Sequence, residues 1–247
     1  MTDRTDFRFA IFDLRFENPK SKIQNPKWTA ACACLSALVT ALLALLPGSA
    51  LAQSLDDVVA GLESTYQKIQ DLRADFRQEA LNKSLGQIIK AEGSVSLKKV
   101  GKMRFEYRTP SVQEIVSDGK TLWVYTKELK QVTVSPAPGA LAGPAGSFLA
   151  GLGQIREEFS IRFLNPLKTD AAGLFVLDLT PKRPEPVLSR LILSVDPKEF
   201  LVRRAVIYDQ FENSVTMVFT RIAVNPGLSD RLFSYTPPAG VAVVPLQ

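Results

Sequence analysis

From Leu72 onwards, this sequence is built mainly of short segments in which apolar and polar residues alternate one by one. In the first of these segments, single charged residues separate Leu72, Ala74 and Phe76. Because successive side chains of a β-strand point to opposite faces of a sheet, this period of two predicts strands with one apolar face and one solvated face. Strands of this kind are typical of antiparallel sheets.

The strand-like segments follow one another at spacings that are compatible with hairpins. Eleven of them can be counted: Leu72–Ala80, Ala91–Lys98, Lys102–Arg108, Val112–Val116, Thr121–Thr126, Gln131–Ser135, Phe159–Leu164, Leu174–Thr180, Leu188–Val195, Val202–Tyr208 and Val215–Val224. No repeat, linker or block of charge divides them. The sequence therefore predicts a single, mainly β domain of the α+β class, built on one large curved sheet.

Two segments show helical periodicity instead. Leu55–Ile69 has apolar residues at helical spacing and begins with the start signal formed by Ser54 and Asp57. Ser147–Ile155 lies in a glycine-rich stretch, in which each glycine weakens a helix by up to about 1 kcal/mol, so this segment should be able to move. A large sheet cannot leave an apolar concave face in water, and we expect both segments, called the lid, to cover it. The lid residues expected to face the sheet are Leu62, Phe148, Leu149, Leu152 and Ile155.

The N-terminal part of the chain has the order of a secretory signal peptide. The charge-free apolar run Thr29–Leu46 follows several lysines and precedes the small-residue sequence Ala50–Ala52. We expect export and cleavage after Ala52, which divides the chain into a leader, 1–52, and one domain, 53–247. The alternative is a retained signal anchor, because the apolar run is just long enough to span a bilayer.

The composition excludes much of ordinary hydrolase chemistry. The sequence contains no histidine, so it has no Ser-His-Asp triad, no Cys-His pair and no histidine-ligated metal. Its two cysteines, Cys32 and Cys34, lie in the predicted leader, at the start of the apolar run, where they cannot serve as a lipidation site. We therefore expect a binding protein without a cofactor or metal. An enzyme that uses only carboxylates stays open, although no acidic pair at the end of a strand supports it.

Three stretches resemble a known family. Lys102–Pro110, Val116–Tyr125 (VSDGKTLWVY) and the ending Phe233–Val241 (FSYTPPAGV) are similar to the signature sequences of the LolA-type periplasmic outer-membrane lipoprotein carriers. The predicted first helix and first strand fit this family too. The resemblance implies an unclosed antiparallel β-barrel with an α-helical lid over a hydrophobic cavity.

The resemblance also implies a transport function in the periplasm. In that family, the cavity takes the acyl chains of outer-membrane-destined lipoproteins, which an inner-membrane ABC transporter releases and an outer-membrane acceptor receives. It implies no enzymatic activity. The charge balance of the predicted mature chain does not indicate a nucleic-acid partner, and we expect a monomer. One departure is Lys99-Val100, where family members often carry Arg-Pro. That arginine is thought to tie the barrel to the lid. Lys99 can donate hydrogen bonds to lid carbonyls but lacks the planar fork of arginine.

A carrier of acyl chains needs an apolar surface that replaces the membrane. Each buried methylene is worth about 0.8 kcal/mol, so free passage of a lipoprotein through water is forbidden. From strand parity, we expect the cavity to be lined by Phe76, Val95, Leu97, Met103, Phe105, Trp123 and Tyr125. The alternative is that these residues form an ordinary core beneath the helices.

Two other functions stay open for a half-barrel of this kind. An anchored acceptor or surface lipid-binding relative would need a lipidated cysteine, which the sequence does not supply after cleavage. A protein-interaction module that senses envelope stress would have no carrier role. The absence of a second domain from the predicted organisation argues against the second alternative.

Overall fold

The first helix begins where the sequence predicts it. The computed structural model describes residues 53–137, 155–185 and 187–245, and helix α1 spans Leu55–Lys68. Ser54 Oγ accepts a hydrogen bond from Asp57 N at 3.1 Å, while the Asp57 carboxylate accepts one from Ser54 N at 3.0 Å. This capping box satisfies two backbone donors that the first turn leaves free, and its hydrogen bonds lower the pKa of Asp57 below the ordinary value.

A second, four-residue helix, α2, spans Ile155–Glu158. The predicted leader and the predicted lid residues Phe148, Leu149 and Leu152 lie outside the described residues. In the part of the chain that the structure describes, no helix is both long and apolar enough to cross a membrane.

Twelve strands form one sheet. They are β1 (Asp71–Asn82), β2 (Gln87–Lys98), β3 (Lys102–Thr109), β4 (Gln113–Asp118), β5 (Thr121–Thr126), β6 (Gln131–Pro136), β7 (Phe159–Phe163), β8 (Phe175–Pro181), β9 (Arg190–Val195), β10 (Val202–Tyr208), β11 (Ser214–Val224) and β12 (Ala242–Pro245). Their order in the sheet is β12-β6-β5-β4-β3-β2-β1-β11-β10-β9-β8-β7. All neighbours are antiparallel except β12 and β6. Because β12 and β7 are the two edges, the sheet is unclosed, which confirms the predicted fold class.

The sequence analysis missed β12 and the first part of β2. Strand β12 is short and exposed, and its residues Val243 and Val244 are both apolar, so it shows no alternation. Strand β2 begins at Gln87 rather than Ala91 because its hairpin with β1 is longer than predicted, pairing Leu81 with Ile88. The adjacent apolar pair Ile88 and Ile89 breaks the period of two there.

The main core lies on one face of the sheet, which we call the inner face. Leu72 pairs with Leu97 and Ala74 pairs with Val95, so these side chains share this face. The buried residues of α1 belong to the same apolar cluster: Val58, Val59 and Leu62. The amphipathic helix therefore buries its apolar stripe against the inner face.

The opposite, outer face is crossed by the C-terminal segment. A 3₁₀ helix, Asp230–Phe233, contacts β3 and β4 and buries Phe233. Lys98 and Lys102 form ion pairs with Asp230 at 2.7 and 3.0 Å and lower the pKa of its carboxyl group. The segment therefore covers part of the outer face with its own small set of apolar and charged contacts.

Candidate functional site

Aromatic packing organises the centre of the inner face. The ring of Phe76 lies edge-on to Phe105 and Tyr107, with centroids 5.7 and 5.0 Å apart. Phe76 pairs across the strands with Gly93. A β-carbon at Gly93 would lie 2.7 Å from the Phe76 ring and 2.3 Å from the carbonyl oxygen of Glu106. The glycine inside this strand therefore makes room for the ring.

The structure places most of the predicted cavity residues together on the inner face. Val95 pairs with Phe105, and Leu97 pairs with Met103. Together with Phe76 they are all buried, except Met103, which is half-buried and packs against them. They form one apolar surface, and their contact with acyl chains stays a prediction.

The prediction that Trp123 and Tyr125 also line this surface is wrong. Phe105 pairs with Ile115, which pairs with Val124, so Val124 occupies the inner face of β5. Trp123 and Tyr125 therefore point to the outer face, where their rings lie 6.5 and 6.3 Å from that of Tyr235. Because β5 carries apolar side chains at every position from Leu122 to Tyr125, its pattern alone does not indicate which set faces inward.

The two described lid residues both lie in the core. Leu62 of α1 is completely buried and Ile155 of α2 is nearly so, and both pack in the cluster on the inner face. Arg156 joins the two helices by donating from its guanidinium to the carbonyl of Asp56 at 2.7 Å and from its backbone N–H to Glu63 at 3.3 Å. Helix α2, which leads directly into β7, is thus tied to α1.

Three hydrogen bonds join the C-terminal half of α1 to the end of the sheet where β2 ends and β10 begins. We call this half of the helix its fastened end. Lys99 Nζ donates to the carbonyl of Gln67 at 2.5 Å, which is the kind of contact expected from the sequence. Tyr66 Oη accepts from Val202 N at 3.1 Å, and Thr65 Oγ1 donates to the carbonyl of Glu199 at 3.3 Å. A role of Lys99 in lid closure remains a prediction.

Sequence reasoning missed Tyr66 and Thr65 as fastening residues. Tyr66 lies in the predicted helix, where its spacing marks it only as a residue of the apolar face. Burial raises the pKa of its phenol to about 12. Gly61, a glycine within the helix, was an available signal. A β-carbon at this position would lie only 2.6 Å from the Phe200 ring, so only glycine leaves room for the ring. It marks a close approach of α1 to the β9–β10 loop.

A small cavity among the described residues lies beneath the C-terminal half of α1. Its volume is about 20 Å³, which is room for about one water molecule. It is lined by Tyr66, Leu72, Val95, Leu97, Val202, Phe219 and Ile222. An acyl chain does not fit in a cavity of this size, so α1 would have to move for a chain to enter at this point.

Charged groups are concentrated on the outer face. Asp178 is almost fully buried there and forms ion pairs with Arg190 at 2.7 Å and with Arg162 at 2.5 Å. Arg104 pairs with Glu106 and Glu114 on the same face. Within the described ranges, no group of three or more Cys, Asp or Glu residues could hold a metal ion. The inner face therefore offers apolar contact as its main chemistry.

Comparisons with known proteins assign the family. The model of the outer membrane lipoprotein carrier protein LolA matches residues 67–236. The outer-membrane lipoprotein carrier protein of Nitrosomonas europaea is 34% identical over 187 residues, covering 75% of this chain and 88% of the relative. That of Chromobacterium violaceum is 33% identical over 190 residues, covering 75% of this chain and 86% of the relative.

A solved structure supports the fold. The crystal structure of an uncharacterized conserved protein from Thermus thermophilus matches with a TM-score of 0.51 at 13% identity, covering 78% of this chain and 100% of that one. At this identity the likeness concerns the fold alone. The family model matches residues that include most of the sheet, and the relatives named above share about a third of their residues with this sequence. The chain therefore belongs to the LolA family of outer-membrane lipoprotein carrier proteins.

Proposed function

We propose that this protein is a periplasmic carrier that holds the acyl chains of lipoproteins on its inner face during their transfer to the outer membrane. The observation that carries the proposal is the apolar surface around Phe76, Val95 and Phe105, which belongs to the same buried cluster as the apolar side chains of α1. Family membership supports lipoproteins as the cargo.

Competition between α1 and the cargo explains how such a carrier could also release it. Full burial of Val58, Val59 and Leu62 is worth about 1.5–3 kcal/mol for each side chain. A lipid that displaces the helix must offset this sum, which about ten buried methylenes at about 0.8 kcal/mol each would do. The remaining methylenes set the net affinity, which is therefore much smaller than the gross energy of burial.

The same reasoning extends to the partners. We propose that the mature chain, 53–247, works in the periplasm as a monomer after cleavage at Ala52. It would receive its cargo from an inner-membrane ABC transporter and deliver it to an outer-membrane acceptor. The signal-peptide pattern and the family support this route.

A release assay tests the carrier function. The exported protein, purified and added to spheroplasts, is expected to bring a lipoprotein into the soluble fraction, because the inner face shields the acyl chains from water. Buffer and an unrelated periplasmic protein serve as controls. If the lipoprotein stays with the membrane at all protein concentrations, the carrier function is contradicted, and an interaction module without a carrier role becomes the better explanation.

A photocrosslinker in place of Phe105 tests where the cargo lies. This residue is nearly buried in the core on the inner face, so the empty protein is expected to crosslink within its own chain and the loaded protein to crosslink to lipid. The same crosslinker at Trp123, on the outer face, is the control and should not respond to loading. Crosslinking at Phe105 that does not depend on loading would contradict the assignment of the inner face.

A further inference from the structure

A wide opening on the inner face lies at the end of the sheet away from the fastened end of α1. It is a groove of about 550 Å³, a size typical of small-molecule pockets. It runs between the β1–β2 hairpin and the β10–β11 hairpin, and we call it the far groove. Its lining combines the polar residues Asn82, Gln87, Asp209, Asn213 and Ser214 with the apolar residues Ala80, Leu81, Ile89, Val187, Ile207, Phe211 and Val215.

The floor of the far groove continues the apolar inner face. Ala80 pairs with Ile89 on one side and with Val215 on the other, and Val215 pairs with Ile207. These four residues form one row across four strands, on the same face as Phe76, because Phe76 and Ala80 are four positions apart on β1. The row is therefore continuous with the apolar surface around Phe76.

The walls of the far groove are held in place by polar contacts between the two hairpins. Lys83 N donates to Asn213 Oδ1 at 3.0 Å, and Lys83 Nζ forms an ion pair with Glu212. Asp209 accepts from the backbone N–H of Phe211 at 2.8 Å and from that of Asn213 at 2.9 Å. Asp209 and Asn213 are thus committed to the hairpins. Because seven of the twelve lining residues are apolar, the groove favours an apolar occupant.

The lining is uncovered although most of it is apolar. Val187 and Phe211 are 62% and 77% exposed, and Ile89 is 50% exposed. The cavity beneath Tyr66, by contrast, has room for about one water molecule. Room for an alkyl chain is therefore available in the far groove without any movement of the fastened end of the helix.

The length of an acyl chain suits this position. Ala80 follows Phe76 by four positions on β1. This corresponds to about 13 Å along the strand at about 3.3 Å per residue. An acyl chain in one leaflet of a bilayer spans half of the hydrocarbon core, or about 15 Å. A chain that lies over Phe76 and runs along the strands would place its methyl end in the far groove.

We propose that the far groove holds the distal part of one acyl chain of the lipoprotein cargo, so that it determines the chain length that the carrier prefers. The proposal rests on the proposed carrier function and adds a site to it. The substrate class is a saturated alkyl chain, which enters the groove by its end and makes no polar contact there.

Two neighbouring isoleucines provide a matched test. Ile89 lines the far groove, whereas Ile88 is 56% exposed on the opposite face of the same strand. Ile89→Lys places a charge in the groove, and Ile88→Lys places the same charge one residue away outside it. Since both side chains are already half exposed, neither change removes a buried contact of the core, and thermal unfolding of both variants checks that they fold.

The measurement is displacement of a fluorescent fatty acid by dilauroyl and dipalmitoyl forms of one S-glyceryl-cysteine peptide. Burial of two further methylenes strengthens binding by about tenfold, so the wild type and Ile88→Lys should prefer the dipalmitoyl peptide by at least about tenfold. Ile89→Lys should bind the dilauroyl peptide within about twofold of the wild type and lose most of the preference.

The possible outcomes distinguish a failure of the carrier function from a failure of the proposed site in the far groove. If the wild type binds neither peptide, the carrier function itself is contradicted, and the site falls with it. If both peptides bind and Ile89→Lys keeps the full preference, or Ile88→Lys loses it equally, the far groove does not hold the chain. If Ile89→Lys instead converts a dimer into a monomer in sedimentation without changing the preference, a second copy of the chain is the occupant and the proposal is overturned.

Discussion

At the scale of single residues, the described site depends on a few groups that fix α1 rather than on any reactive group. Lys99, Thr65 and Tyr66 hold the end of the helix on the sheet, and Gly61 and Gly93 make room for aromatic rings. Lys99 and Thr65 can be changed without altering the apolar surface itself. Their variants therefore report on closure separately from binding.

Lys99→Ala should favour the open state. It removes the hydrogen bond from Nζ to the carbonyl of Gln67, which is worth about 1 kcal/mol, or about a fivefold change in the population of the open state. A fluorescent fatty acid should accordingly bind several-fold more tightly to Lys99→Ala than to the wild type. Lys99→Arg, which keeps a donor, is the control and should behave like the wild type. Equal affinity in all three proteins would contradict a role of Lys99 in closure.

Tyr66 should make stability depend on pH in the alkaline range. Its pKa is raised from near 10 to about 12 by burial, so the folded protein holds the phenol proton more tightly than the unfolded chain does. The contribution is fully present below pH 10 and is lost as the pH rises towards 12, because ionisation then favours the unfolded state. Urea unfolding of the wild type at several pH values should show a fall in the unfolding free energy of about 2–3 kcal/mol from this group.

Tyr66→Phe is the matched control for that dependence. It should be less stable than the wild type by about 1–3 kcal/mol at neutral pH, because Val202 N loses its acceptor. Its stability should then fall less between pH 10 and 12 than that of the wild type. Parallel pH profiles for the two proteins would show that the phenol of Tyr66 does not titrate in a buried position.

At the scale of elements, hairpin register determines the site, and the sequence indicates register only where a strand is apolar on one face. For β1 and β3, the alternation identified Phe76 and Phe105 as inward-facing residues. For β5, which is apolar on both faces, it did not, and Trp123 and Tyr125 were assigned to the wrong face. The outer apolar set on β5 packs on the C-terminal segment, a long-range contact that no local pattern contains.

The close packing of β1, β2 and β3 predicts a strong effect of Gly93→Ala. A β-carbon there would collide with the carbonyl of Glu106, which belongs to the backbone and cannot rotate away, as well as with the Phe76 ring. The sheet must therefore shift, and we expect a loss of about 1–3 kcal/mol in the free energy of unfolding, measured with urea. Phe76→Leu in the same background should not restore the loss. A Gly93→Ala variant as stable as the wild type would contradict the register of these strands.

At the scale of the whole molecule, the sequence was sufficient for the fold class and for the first helix. Alternation and hairpin spacing depend on local chemistry, and they predicted eleven of the twelve strands. The fastening of α1 by Thr65 and Tyr66 and the far groove depend on which strands meet. These features arise from contacts between distant parts of the chain, so they became visible only in the structure.

The central claim is that α1 and acyl chains occupy the same inner face in turn. It is tested most directly by tethering the helix with a reducible bifunctional thiol reagent between cysteines that replace Thr65 and Glu199, where the two segments are already in contact. Uptake of a dipalmitoyl S-glyceryl-cysteine peptide is then measured before and after reduction, with each single-cysteine variant as a control. We expect the tethered protein to take up little peptide and the reduced protein to recover. Undiminished uptake by the tethered protein would contradict the account.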